Sequence, residues 1–179
     1  MKKLFENYQK FINEQQDYFY TYLASSFSHK WDDDIWYVGL HGTGWLQGSG
    51  KSTLPFSLIH KTTKGFESNF TIDSKEYKDF MKAVLVFNYR KKQSVSTTVA
   101  VASVLILKRW YYSLFTLTGQ KHPVYLKTDI IEDAMSRYTN SSKTGDPNIV
   151  STFCRCAELQ NPVNYYAFSV SPLDFKNNL

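Results

Sequence analysis

Apolar residues recur at spacings of three and four near the start of the chain: Leu4, Phe5, Tyr8, Phe11, Ile12, Phe19, Tyr22 and Leu23 stand in a polar background. This period matches the turn of an α-helix and predicts an amphipathic helix over residues 3–27, with an apolar stripe that needs a partner. The run Trp31-Asp32-Asp33-Asp34-Ile35-Trp36 breaks the period. Segments 35–40 and 54–59 then read as strands, with Leu54, Phe56 and Leu58 alternating. Gly42, Gly44, Gly48 and Gly50 between them suit the tip of a β-hairpin. Residues 61–72, rich in Thr, Lys, Gly and Ser, read as a linker.

Four helical segments follow. Asp73-Ser74-Lys75-Glu76 has the form of a capping box, and Tyr77, Phe80, Met81, Val84 and Leu85 give the stripe of a helix ending near Lys92. Ser96 is placed to cap a second helix, stopped by Gly119, whose middle at 99–107 is apolar nearly all round, as in the centre of a bundle. Thr128 is expected to cap a third, carrying Ile130, Ile131, Ala134, Met135 and Tyr138. Asp146-Pro147 opens a fourth, with Ile149, Val150, Phe153, Cys154 and Ala157 as its apolar stripe and Pro162 beyond its end. Residues 163–179 show no clear period and read as an outgoing linker. The expected fold is mainly α: an N-terminal helix and β-hairpin module at 1–66, a four-helix bundle at 67–162, and the linker at 163–179.

Composition supports a packed core, with 42% hydrophobic and 17% aromatic residues in 179. The apolar run at 99–107 is far short of the roughly 20 residues that span a bilayer. The Met-Lys-Lys start leads into Glu6 and Asn7 without the apolar segment of a secretory signal. A cytoplasmic protein with no membrane partner is expected. Cys154 and Cys156 lie two apart in a helical segment, so their side chains diverge and neither a disulfide nor a zinc site is indicated. His29, His41, His60 and His122 lack metal-ligand spacing, and Asp32 to Asp34 read as a solvated turn. No metal, cofactor, small-molecule substrate or catalytic pair is expected.

"GTGWLQGSGKST" at 42–53 approaches the phosphate-binding pattern G-x-x-x-x-G-K-[ST], but the required first position holds Trp45, and Pro55 with alternating apolar residues follows where a helix should open. A nucleotide site is thus the least favoured reading.

Charge changes the picture more. The chain carries 21 Lys and Arg against 16 Asp and Glu. Residues 80–128 contain no acidic residue, while Lys82, Arg90, Lys91, Lys92, Lys108, Arg109, Lys121 and Lys127 lie within them. A basic segment beside a mildly acidic remainder fits a polyanionic partner, or else a solvated basic surface. Within it, "NYRKKQSVSTTV" places Arg90, Lys91 and Lys92 beside Ser94, Ser96, Thr97 and Thr98 at a helix start. Cations, hydroxyls and N-terminal amides together suit a phosphate backbone. The same residues also fit an ordinary helix end followed by a Ser cap. On the fourth helix Asn148, Ser151, Thr152 and Arg155 share a polar face suited to base edges in a major groove.

The stretches "YKDFMKAVLVFNYRKKQSVSTTVAVASVLILKRWYYSLF", "TGQKHPVYLKTDIIEDAM" and "SPLDFKNNL" resemble the core-binding domain of tyrosine site-specific recombinases, the phage-integrase family, and its exit towards the catalytic domain. The resemblance spans about half the chain. It implies a four-helix bundle forming part of a clamp around double-stranded DNA, in DNA integration or recombination, with room for a homo-oligomer on that DNA. The family's catalytic His-x-x-Arg follows none of the four histidines. The chain is therefore expected to bind DNA without cutting it. The alternative, from another class, is a protein-interaction module in which the N-terminal helix and hairpin meet a partner and the bundle is scaffold.

Overall fold

The computed structural model describes residues 1–26, 29–39, 46–47, 51–60, 63–66, 69–93, 95–142 and 146–176. The fold is mainly helical with short strand pairs. Helix α1 (Lys2–Tyr18) continues through a π-helical turn at Phe19–Leu23, and its stripe buries Tyr8, Phe11, Ile12, Phe19 and Leu23. Strand β1 (Ile35–Gly39) pairs antiparallel with β3 (Lys51–Pro55) from Ile35 opposite Pro55 to Gly39 opposite Lys51. Between them β2 (Leu46–Gln47) runs parallel to β6 (Val95–Ser96), while β4 (Leu58–Ile59) pairs with β5 (Phe70–Thr71). The glycine tip, with Gly42, Gly44, Gly48 and Gly50, lies outside the described residues. The segment after it, Lys51–Pro55, is a strand, where a phosphate loop would open a helix.

Helix α2 (Lys75–Lys92) starts at Ser74, whose Oγ accepts from the Tyr77 amide at 3.1 Å. The cap is therefore Ser74 and not Asp73. Asp73 instead accepts from the Tyr111 hydroxyl at 3.0 Å and pairs with Lys121. Helix α3 (Thr97–Thr118) has the expected ends: Ser96 accepts from the Val99 amide at 3.2 Å, and Gly119 closes it at φ 70°. Helix α4 (Thr128–Ser141) has no side-chain cap. Thr128 instead accepts from the Asp174 amide at 2.9 Å, holding the C-terminal segment. Helices α5 (Asn148–Leu159) and α6 (Asn161–Tyr166) complete the set. Helix α3 is central, packing against α2, α4, α5 and β3.

Two expectations are corrected by the burial pattern. Residues 163–176 are no loose linker: Val163, Phe168, Leu173 and Phe175 are buried in the same core as α1 and α2. Asn164 and Gln160 reinforce the turn by bonding the backbone of Leu173 and Phe175 in both directions. Nor does the linker at 61–72 separate two cores. A single buried cluster runs from Tyr8 through Trp36 and Ile72 to Phe175. Its aromatic centre joins Phe11 on α1, Phe80 and Phe87 on α2, and Phe168, which stacks on Phe11 at 5.4 Å.

Helix α5 also differs from expectation. Cys156 and Leu159 are the residues it buries, with Ile149, Thr152 and Phe153 half-buried, whereas Val150 (57% exposed) and Cys154 face outwards. Ile149, Phe153 and Ala157 of the expected stripe pack against the core, whereas Val150 and Cys154 do not, and Cys156 takes the buried place on that side.

Phe168→Ala should cost roughly 3–5 kcal/mol in urea denaturation, because it leaves a cavity among Phe11, Phe80 and Tyr8. Tyr165→Ala, at a 73% exposed position three residues earlier, should stay within about 0.5 kcal/mol of the parent.

Candidate functional site

Packing sorts the basic residues of segment 80–128 into several fates. Lys82, Lys108 and Arg109 are buried. Lys82 donates to the Trp31 carbonyl, with its ammonium 5.0 Å from the Phe56 ring centre. Lys108 donates to the Leu58 carbonyl at 2.8 Å. Arg109 donates to the Lys64 carbonyl at 3.1 Å and lies 4.2 Å from the Tyr138 ring centre. These cations tie helices α2 and α3 to the N-terminal strands and loops. They are not available to a polyanion.

The basic turn is divided in the same way. Arg90 is half-buried between α1 and α2, donating to Gln15 at 2.9 Å and covering the Tyr18 ring at 4.8 Å. Lys91 is exposed, 4.8 Å from the Phe87 ring centre and 5.7 Å from that of Tyr165. Lys92 pairs with Glu158 of α5 at 3.0 Å, both side chains being more than half exposed. Ser94 lies outside the described residues. Thr97 is buried and Thr98 exposed.

A cleft of about 320 Å³ between α2, the start of α3 and α5 gathers part of the expected set. Lys92, Ser96 and Arg155 line it together with Asn88, Ser103 and Glu158. Arg155 is half-buried there and has no hydrogen bond or ion pair among the described residues. The first turn of α3 opens beside it at Ser96, so the amides of a helix N-terminus and two cations border one space. That arrangement can hold a phosphate oxygen.

The rest of the expected α5 face does not join them. Asn148 and Ser151 are exposed, and the Ser151 hydroxyl is spent on the Asn148 carbonyl at 3.0 Å. Thr152 is half-buried and does not line the cleft. Asn148, Ser151, Thr152 and Arg155 lie on one side of α5, with the first two exposed and the last two half-buried, and Arg155 alone of the four lines the cleft. Asn88 and Glu158 were missed from the sequence. Their signal was the i, i+4 spacing of Asn88 with Lys92 and the i, i+3 spacing of Arg155 with Glu158.

Among the described residues no group of three His, Cys, Asp or Glu side chains gathers as a metal site would, and no helix is long and apolar enough to cross a membrane. Comparison with protein-family models, curated proteins and solved structures finds no match to this chain.

Burial holds the Lys82 and Lys108 ammonium groups down at about 8, from 10.5. The folded state thus resists carrying these charges at every pH below about 8, and is relieved as pH rises from there to the ordinary lysine value. Burial acts in the opposite sense on the Cys156 thiol, pushed up to about 12 from 9.0, and on the Tyr166 hydroxyl, pushed up to about 12 from 10.0. The unfolded chain ionises these groups first, so they withdraw stability above their ordinary values. With two lysines gaining against one thiol, stability to urea should rise between pH 8 and pH 10. It should fall above about pH 10.5, where the lysine gain is complete. A flat profile from pH 8 to pH 10, or the same rise in a Lys82→Met/Lys108→Met variant, would contradict the assignment.

Proposed function

We propose that this protein binds double-stranded DNA through the sugar-phosphate backbone, with the cleft between α2, α3 and α5 as the grip. The observation that carries the reading is Arg155: a guanidinium with no hydrogen bond or ion pair among the described residues, half-buried in a cleft that also holds Lys92, Ser96 and the first turn of α3. Cations neutralise phosphate charge while a hydroxyl and helix amides fix its position. Lys91, exposed beside Tyr165 and Phe87, extends the cationic edge. The sequence resemblance to the core-binding domain of integrase-type recombinases makes DNA integration or recombination, without strand cleavage by this chain, the setting proposed for that binding.

Glu158 opposes the grip. Its carboxylate pairs with Lys92 inside the same cleft, so an incoming phosphate displaces it. Specificity by base contact from α5 receives no support from the burial pattern, and backbone contact is the mode proposed.

A second reading has its own observation. Tyr20, Tyr22 and Tyr37 of the N-terminal helix and strand are large side chains at least half exposed, as at protein-protein contacts where tyrosine is enriched. In that reading the bundle is scaffold.

Fluorescence anisotropy with a labelled duplex across a salt series separates the two. Lys92→Ala/Arg155→Ala should weaken binding about tenfold or more and flatten the log-log salt dependence by roughly 0.9 for each phosphate that the variant no longer neutralises. Glu158→Gln should tighten binding. Duplex binding that is absent, or whose salt dependence is unchanged in the double variant, would overturn the cleft as a DNA grip.

A further inference from the structure

A second cleft, of about 160 Å³, lies between β3, β4 and α3. Its α3 positions, Val101, Val104, Leu105 and Lys108, fall on the opposite side of the helix from Val99 and Ser103, which line the first cleft. Leu54, Ile59, Val104 and Leu105 give it apolar walls, and Val101, 37% exposed, stands at its rim.

Lys108 also lines this space and is only 4% exposed. An ammonium has three donors, and one is used on the Leu58 carbonyl. Among the described residues no carboxylate pairs with Lys108 and no aromatic ring covers it. The other two buried cations differ, since Lys82 lies over Phe56 and Arg109 over Tyr138. Asp34, the acidic group that acts on Lys108 from a distance, is engaged with Ser57 and lies 3.4 Å from Lys78. A buried charge without a counter-ion is costly, and the cost falls when an anion supplies the missing partner.

We infer that this cleft is a binding site for a short aliphatic monocarboxylate, its carboxylate on the Lys108 ammonium and its chain against Leu54, Ile59, Val104 and Leu105. The volume holds about five waters at ~30 Å³ each, which matches a chain of roughly four to six carbons. The site is independent of the DNA grip.

Calorimetric titration of the full chain with sodium valerate tests the assignment, with valeramide as the uncharged counterpart. Valerate should bind saturably and valeramide at least about tenfold more weakly, a difference of ~1.4 kcal/mol. Lys108→Met keeps the stem, removes the charge and should abolish valerate binding. Val101→Trp narrows the rim without touching the ammonium and should weaken binding while leaving the far-UV spectrum unchanged. No heat at tens of millimolar valerate, equal binding of valeramide, or undiminished binding by Lys108→Met would each overturn the proposal.

Discussion

The burial of α3 is the constraint on which the rest of the molecule depends. Its segment at 99–107 is apolar almost all round, so it must be enclosed on several sides, and α2, α4, α5 and β3 enclose it. The helix then runs on through Lys108 and Arg109 while still inside the core. A continuous helix cannot turn two consecutive side chains both away from its surroundings, so each cation must find an acceptor where it stands. The Leu58 and Lys64 carbonyls provide them. Lys82 on α2 does the same with Trp31. The N-terminal strands and loops are thereby fixed to the helices by charge-assisted bonds as well as by apolar contact.

That enclosure also decides what remains for function. Cations drawn into the interior cannot meet a polyanion, and Arg90 is further engaged by Gln15 and Tyr18. Lys92 and Arg155 stay accessible around the cleft on one side of α3, with Lys91 nearby, while Lys121, paired with Asp73, and Lys127 are exposed elsewhere. On the other side the same helix leaves Lys108 bordering an apolar space with a carbonyl as its partner. The two clefts thus arise from one helix that is too apolar to be exposed and too charged at its middle to be buried without acceptors.

Local features of the chain were readable where the reason for them was local. The α1 stripe, the Ser96 cap and the Gly119 stop involve side chains and amides a few residues apart, and they formed as their spacing implied, except that Phe5 and Tyr22 of the stripe are exposed. The caps at Asp73 and Thr128 did not form, because each side chain is taken by a distant partner, Tyr111 and Lys121 in one case and the Asp174 amide in the other. The segment after 163 looked irregular because its anchors, Phe168, Leu173 and Phe175, are single residues set by turns and side-chain-to-backbone bonds, with no period to detect.

The candidate sites divide along the same line. Sequence by itself determined which residues could carry chemistry: the acid-free basic segment, the Ser cap before a long apolar helix, and Arg155 on the last long helix. Only the tertiary structure decided which of them share a space. Lys92, Ser96 and Arg155 meet because α5 lies across the α2–α3 junction, whereas Arg90, Lys108 and Arg109 are drawn inwards. The physical reason is that a charge count has no direction. Whether a cation faces solvent or a carbonyl depends on which side of its helix is enclosed, and that is settled by packing between segments far apart in the chain.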